Sequence, residues 1–462
     1  MPEYPGKWVS DALLAGDPGD PSLWMGGPVT RGELAALVDA RQRLLESAGL
    51  RPGGTAALQL PPSLEYVTVL LAAWRLGAQV SLLDHRLVRR EVDNALDRLA
   101  PQVVVTADSV ASAPMAGYAQ AVARAQARPS GRPAATPHVL IQLSSGSTGP
   151  SKMIARTAAD LLAELGRYAQ LDEYPRPGER TVVLASMVHV LGLVGGLLHG
   201  LHAGVELVFP DRLTADGIRA AVAPGSAPTT ILGVPFHAEL LATGSAHLPS
   251  LRRMIVAGEL VRPWVPAKFT AAYGVPLGTM YGMTEVGVIA TDLSGRTAPA
   301  VAPAPGMSLR VADGELLLRL PASPYIGLVD DTRWAGGWLR TRDAASIDDT
   351  TGLVTILGRL DSQISVGGLK VDLTEVEQTL CALPAVEAAV VTYDGTIEAY
   401  LALREGEQVS AVESALTEQL APFKRPRRLH VLSALPRTAT GKISRDRTVL
   451  RAAADAQPAG AS

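Results

Sequence analysis

From Thr229 onward, short apolar runs alternate with segments of helical spacing: TTILGV then PFHAELLATG, RMIVAG then VPAKFTAAYG, and PLGTMYG leading into a further loop. Strands this apolar need cover on both faces and the intervening helices supply it, so the pattern predicts a parallel α/β architecture. The same alternation starts earlier. A helix GELAALVDARQRLLESAG ends at Gly49, and the strand TAALQL, the helix LEYVTVLLAAWRLGA and the strand QVSLLD follow it. After an Ala/Pro/Gly-rich stretch from 111 to 136 comes the strand HVLIQLS. From Thr181 to Val205 no residue is formally charged, which is long enough to span a bilayer. That run nevertheless holds His189, His199, His202 and five glycines, and it divides into a strand-like TVVLAS, a helix-like Gly/Leu centre and a second strand, VELVF. A buried strand-helix-strand unit is the expectation there, with no membrane span.

Around residue 313 the texture changes. GELLLRL, GWLRTRD and GLVTILG alternate apolar and polar residues around a DDTTG turn, which predicts a small antiparallel region. Residues 362 to 450 then read as a compact α+β unit, with helix LTEVEQTLCAL, strands VEAAVVTY and IEAYLAL about Asp394-Gly395, helix VSAVESALTEQL and strand RLHVLS. The tail RAAADAQPAGAS is expected to be disordered at its end. The one cysteine, Cys381, falls in an apolar helical pattern and is expected in the core, and it fits a reducing cytosol. The N-terminal MPEYPGKWVS has no secretory pattern, so a cytoplasmic location is expected. A net charge of -3 without a basic block gives no case for nucleic acid. There is no internal repeat and no zinc or di-metal motif.

The strand HVLIQLS delivers the chain into Leu143 to Ile154, LSSGSTGPSKMI. Gly146 and Gly149 let backbone N–H groups turn toward an anion, Ser144, Ser145, Ser147 and Thr148 add hydroxyl donors, and Lys152 supplies a point charge. Such a loop suits a polyphosphate. It is not a Walker loop, whose GxxxxGK[ST] spacing requires glycine at 151 and Ser or Thr at 153, where Ser151 and Met153 stand. A flexible Ser/Gly linker is the bland alternative. Against it, arginine outnumbers lysine 36 to 6, so a lysine here is an unusual choice.

This stretch resembles the phosphate loop of the adenylate-forming superfamily, which includes acyl- and aryl-CoA synthetases, peptide-synthetase adenylation domains and luciferases. Its Ser-Lys-hydrophobic ending, with Arg156-Thr157 after it, is most similar to the stand-alone aryl-acid ligases. Further stretches match in family order. In Tyr281-Gly282-Met283-Thr284-Glu285 the resemblance implies Tyr281 on adenine, the Thr284 hydroxyl on the α-phosphate and Glu285 on magnesium, and a carboxylate is the hard oxygen ligand that Mg²⁺ prefers. Upstream, Gly258 and Glu259 correspond to residues lining the adenine pocket. Asp343 in WLRTRD resembles the aspartate that accepts from both ribose hydroxyls. In GRLDSQISVGGLKVDLTEVE the implied roles are Arg359 on the nucleotide, Asp361 as hinge, and Gly368 and Lys370 along the CoA channel. Two residues depart from the pattern: Ser365 replaces a usual lysine, and Lys370 replaces a usual arginine, which removes bidentate geometry. Near the C-terminus, PRTATGKI looks like the loop of the catalytic lysine, here Lys442. A carboxylate attacking a polyanionic phosphate needs a cation between them.

The resemblance runs from about residue 27 to residue 450. It implies an N-terminal adenylation domain at 1–360 that binds ATP and acid, a mobile C-terminal domain at 361–450 and a tail at 451–462. The implied reaction converts ATP and a carboxylic acid to acyl-adenylate and pyrophosphate. Rotation about Asp361 then lets a thiol, coenzyme A, displace AMP.

Substrate choice is expected to lie in SMVHVLGLVGG. His189 matches the residue that relatives place beside the acyl carboxylate. Amino-acid-activating relatives follow it with an Asp and dihydroxybenzoate ligases with an Asn, whereas this chain has Val190, which cannot pair a buried ammonium. Leu191, Leu193, Val194 and Gly195 continue an apolar lining, with Gly195 and Gly196 leaving room. A bulky, mostly apolar acid is expected, whether aryl, polycyclic or fatty. Three readings stay open: an acid–CoA ligase; an acyl-AMP ligase loading an acyl or aryl carrier protein, or an enzyme of one half-reaction; and an inactive binding relative. Arg425, Arg427 and Arg428 are candidates for the 3'-phosphate of CoA.

Overall fold

The computed structural model describes residues 6–111, 115–143, 152–327, 332–360, 362–436 and 443–456. It divides into two compact units, one of residues 1–85, 99–144 and 153–360, the other of residues 86–98, 145–152 and 361–462.

In the first unit a seven-stranded sheet has three parallel pairings at its centre. Its order is Tyr325–Ile326, Met153–Arg156, Leu140–Leu143, Gln79–Leu82, Thr55–Gln59, Val103–Ala111 and Gln120–Ala127. The helix Leu64–Arg75 is buried on nearly every side, because its sequence is apolar all round; Ser63 caps it by accepting from Tyr66 N–H, and Trp74 Nε1 donates to Val139 O at 2.8 Å. The strand Gln120–Ala127 lies inside the Ala/Pro/Gly-rich stretch that the sequence left without an element. Its alternation is written in alanines against exposed Gln, Val and Arg, too weak a contrast to read as a strand.

A second, 14-stranded sheet carries the site. Its parallel part runs Leu277–Met283, Leu251–Ala257, Thr229–Gly233, Arg180–Val183, Glu206–Val208 and Pro21–Trp24. At Leu277–Met283 it turns antiparallel through Gly287–Asp292, Ala300–Pro303, Val354–Arg359, Trp338–Ile347 and Glu315–Arg319. The antiparallel region foreseen near residue 313 is therefore continuous with the parallel sheet. The junction is the Tyr281–Glu285 motif.

The uncharged run splits into the strand Arg180–Val183, a π-helix Leu191–Leu198 continuing as His199–Ala203, and the strand Glu206–Val208. No helix among the described residues is long and apolar enough to cross a membrane.

In the second unit, Val386–Tyr393, Ile397–Leu403 and Arg428–Leu432 form a three-stranded sheet with helices Leu373–Cys381 and Val409–Gln419. A helix, Arg447–Asp455, occupies the start of the stretch read as a tail, capped by Asp446. Its pattern is amphipathic, with Leu450 fully buried, and the run of alanines hid that face in the sequence. Cys381 is exposed, not in the core: Val376 and Leu380 hold the buried stripe of its helix, and the next residue turns away from it. Lys424 sits between Glu91 and Glu375, at 2.8 Å from each. Burial opposes its charge, but the two carboxylates outweigh that and hold it protonated. Arg425 donates to Leu420 O and Thr417 O at the end of helix Val409–Gln419, so its guanidinium is committed to capping.

Candidate active site

Of the nucleotide residues expected from sequence, Tyr281, Asp343 and Arg359 are hydrogen-bonded together at the sheet junction. Tyr281 Oη donates to Asp343 Oδ2 at 2.6 Å, and Arg359 Nη1 donates to Asp343 Oδ1 at 3.1 Å and to Thr341 O at 3.2 Å. Asp343 and Arg359 are register partners on adjacent strands. Burial, then the Asp343 charge, pushes the Tyr281 hydroxyl well above its usual range, so it stays a donor.

Asp343 is aimed by local irregularity. Its strand shifts register on both sides, between Glu315/Leu317 and between Ala344/Ala345, and Arg342 takes a left-handed φ of 62°. That conformation costs a non-glycine residue about 1–2 kcal/mol. Buried Glu315 offsets it by accepting from Arg342 N–H at 2.9 Å and Arg340 Nε at 2.8 Å. The bulge turns the carboxylate toward Tyr281.

Thr284 and Glu285 occupy the turn between Leu277–Met283 and Gly287–Asp292. Glu285 Oε1 accepts from Tyr325 Oη at 2.7 Å and from Arg333 Nη2 at 3.4 Å. Behind this turn lies a fully buried ion pair, Arg156 Nη1 to Glu164 Oε2 at 2.6 Å. Glu164 Oε1 accepts from Val288 N–H, and Arg167 Nη2 donates to Val286 O at 2.8 Å. A Cβ on Gly287 would fall 2.0 Å from the Glu164 carboxyl carbon, so this position admits only glycine. Arg156 ends the strand that follows Lys152, and Glu164 lies on the helix Ala158–Ala169, capped by Thr157 and Asp160. The pair thus ties the segment that follows Lys152 to the Thr284-Glu285 turn. None of Arg156, Glu164, Tyr325 and Arg333 had been singled out as a site residue, because hydrogen bonding across 8 to 124 residues leaves no local pattern.

Gly258 follows the strand Leu251–Ala257 with a φ of 99°, and Glu259 comes next. His189 stands in the turn before the π-helix, its N–H donating to Ser186 O and its C=O accepting from Leu193 N–H. Val190 and Leu191 beside it are half-buried. Val194 is fully buried in the core, and a Cβ at Gly195 would meet Tyr168 Oη at 2.8 Å and Tyr174 Oη at 3.0 Å. The space expected there for an acid is filled by these tyrosines, and Tyr174 Oη donates to Gly195 O at 2.7 Å. Gly196 likewise abuts Val183. His237 is buried in the first turn of the helix Pro235–Leu241, and its Nδ1 accepts from Val234 N–H.

In the second unit Gly368 takes a φ of 81° in the Gln363–Val366/Leu369–Asp372 hairpin, and Lys370 pairs opposite Ser365. Ser144, Ser145, Gly146, Ser147, Thr148, Gly149, Asp361 and Lys442 lie outside the described residues.

The donor set around Glu285 fits a hard divalent cation, since among the described residues the carboxylate is anchored through one oxygen. Bound there with a nucleotide, Mg²⁺ would neutralise polyphosphate charge.

Residues 12–323 match the model of the AMP-binding enzyme family and residues 375–442 that of the AMP-binding enzyme C-terminal domain. A p-hydroxybenzoic acid–AMP ligase of Mycobacterium tuberculosis is 28% identical over 477 residues, covering 95% of this chain and 68% of that protein. An anthranilate–CoA ligase of Pseudomonas aeruginosa is 30% identical, covering 66% of this chain and 65% of its own. The solved o-succinylbenzoate CoA synthetase of Bacillus subtilis shares the fold with a TM-score of 0.80 at 23% identity, covering 95% of this chain and 97% of that one.

Proposed function

The chain belongs to the AMP-binding enzyme family and is an AMP-forming ligase of the acyl-CoA synthetase type, and from that premise we propose that it activates a bulky, mostly apolar carboxylic acid as its acyl-adenylate and passes the acyl group to coenzyme A. The observation that carries this reading is the coupling of Tyr281, Asp343 and Arg359 beside the Thr284-Glu285 turn. An aromatic face, a ribose-accepting carboxylate, a guanidinium, a hydroxyl and a metal-binding carboxylate stand together at one sheet junction. They are the groups a nucleotide requires.

In this reading the loop 144–149 with Lys152 holds the β- and γ-phosphates, and Gly258 and Glu259 border the adenine. His189 and the half-buried Val190 and Leu191 face the acid. Lys442 supplies the ammonium between the attacking carboxylate and the α-phosphate. Residues 361–450 turn about Asp361, and Gly368 and Lys370 border the path of the thiol arm. An aryl acid is favoured by the names of the relatives, which act on p-hydroxybenzoic acid and anthranilate. The location is cytoplasmic.

A second reading, transfer to a carrier-protein arm, is favoured by one observation: the relative aligned over 95% of the chain is named an AMP ligase, not a CoA ligase. Acid-dependent ATP–pyrophosphate exchange over aryl, fatty and polycyclic acids, repeated with CoA while following thioester by mass, tests both. Exchange plus CoA thioester supports the first reading; exchange with stable acyl-AMP and no thioester supports the second. If no acid promotes exchange, preformed acyl-AMP supplied with CoA tests the second half-reaction alone.

A further inference from the structure

Glu285 is held asymmetrically. Its Oε1 accepts from Tyr325 Oη at 2.7 Å and from Arg333 Nη2 at 3.4 Å, while Arg333 Nε reaches Tyr325 Oη at 3.3 Å. A carboxylate oxygen has two acceptor sites, so the pair fills Oε1, and Oε2 makes no hydrogen bond with any described residue. All three side chains are largely enclosed, Arg333 and Glu285 being 12% and 8% exposed. Tyr325 is itself fixed: it lies on the short strand Tyr325–Ile326, paired with Ile154 of the strand that leaves the phosphate loop.

We propose that Tyr325 and Arg333 are positioning residues that lock Glu285 through Oε1 and present Oε2 as a single-oxygen ligand for the nucleotide-bound divalent cation. The inference rests on the ATP-dependent reading above and concerns residues outside the nucleotide motifs. Two physical consequences separate it from a merely structural role. A single carboxylate oxygen is a weak ligand by itself, so the site takes the metal only with polyphosphate oxygens present. The strand pairing of Tyr325 makes the orientation of the metal carboxylate depend on the strand that carries the phosphate loop away, so both ligands of the metal–nucleotide complex share one frame.

The test uses the full-length chain with Mn²⁺ as the probe, followed by its electron paramagnetic resonance signal with and without β,γ-methylene-ATP. Mn²⁺ alone is expected to stay free, and Mn²⁺ with the nucleotide to become bound. In Tyr325→Phe and Arg333→Gln, Mn²⁺ affinity in the presence of the nucleotide should fall about 10–100-fold, the usual loss for an outer-shell partner of a metal ligand. Arg333→Lys should recover part of it. Nucleotide affinity in EDTA should be unchanged in all three, and raising Mg²⁺ should restore exchange. Unaltered Mn²⁺ affinity in Tyr325→Phe and Arg333→Gln overturns the proposal, as does an equal loss of nucleotide affinity with and without metal. Failure of the unmodified chain to bind Mn²⁺ with the nucleotide would instead count against the ATP-dependent reading itself.

Discussion

Tyr281 and Asp343, 62 residues apart, are joined by a 2.6 Å hydrogen bond that makes the ring proposed to face adenine and the carboxylate proposed to face ribose one unit. Because the hydroxyl is buried and the acceptor charged, the bond is worth about 1.5–3 kcal/mol. Tyr281→Phe keeps the ring and loses the tether. The ATP KM should rise roughly tenfold or more while kcat changes less; an unchanged ATP KM in pyrophosphate exchange would separate the two residues functionally.

Glu164 and Gly287 are predicted to be coupled. Glu164→Gln leaves Arg156 buried without its counter-charge, which costs about 3–5 kcal/mol and should lower the Tm. Gly287→Ala drives a methyl into the same carboxylate at a φ of 83° and should be at least as damaging. Thermal unfolding of both variants checks this, and a Gly287→Ala protein as stable as the parent would contradict the described packing.

Gly195 is predicted to govern stability more than acid preference. Alanine there meets Tyr168 and Tyr174 and breaks the Tyr174–Gly195 hydrogen bond geometry. A fall in Tm of several degrees with the acid profile unchanged is expected. A switch toward smaller acids at constant Tm would show that Gly195 does face the substrate.

Acid should destabilise the first unit within a defined window. Burial lowers His199 and His237 from the ordinary 6.5 to about 4 each. Between those values the unfolded chain binds protons that the folded chain refuses, so stability falls as pH drops from 6.5 toward 4 and is flat above 6.5. Each contributes at most about 3 kcal/mol over that range. Denaturant titrations from pH 7 to 4 should show the slope, and His199→Gln should make it shallower; a slope identical in that variant would remove His199 as a cause.

Lys442→Ala should slow acyl-adenylate formation by roughly 100-fold or more, the scale of losing one preorganised electrostatic group. Transfer from preformed acyl-AMP to CoA should be affected less. Rapid-quench measurement of acyl-AMP distinguishes the two, and near-normal adenylation would remove Lys442 from that step.

Much of this architecture was legible in the chain. The apolar strands TTILGV and RMIVAG and the helices between them appear where their periodicity puts them, because burial on both faces demands a continuous apolar run. Asp343 and Arg359 were legible as motif residues, and the structure pairs them across adjacent strands. The hairpin strand Gln120–Ala127 and the helix Arg447–Asp455 were not read, since alanine serves either secondary structure and shows little polarity contrast.

The sequence by itself determined which chemical groups the chain carries and the order in which strands deliver them, because strand and helix periods are local properties of the backbone. Only the tertiary structure decided how those groups are aimed. The Arg342 bulge that turns Asp343, the Arg156–Glu164 pair behind the Glu285 turn, the Tyr325–Arg333 grip on one oxygen of Glu285, and the tyrosines that fill the space beside Gly195 all depend on residues far apart in the chain. Their partners are chosen by packing and desolvation in a shared interior, and neither leaves a periodic trace in the sequence.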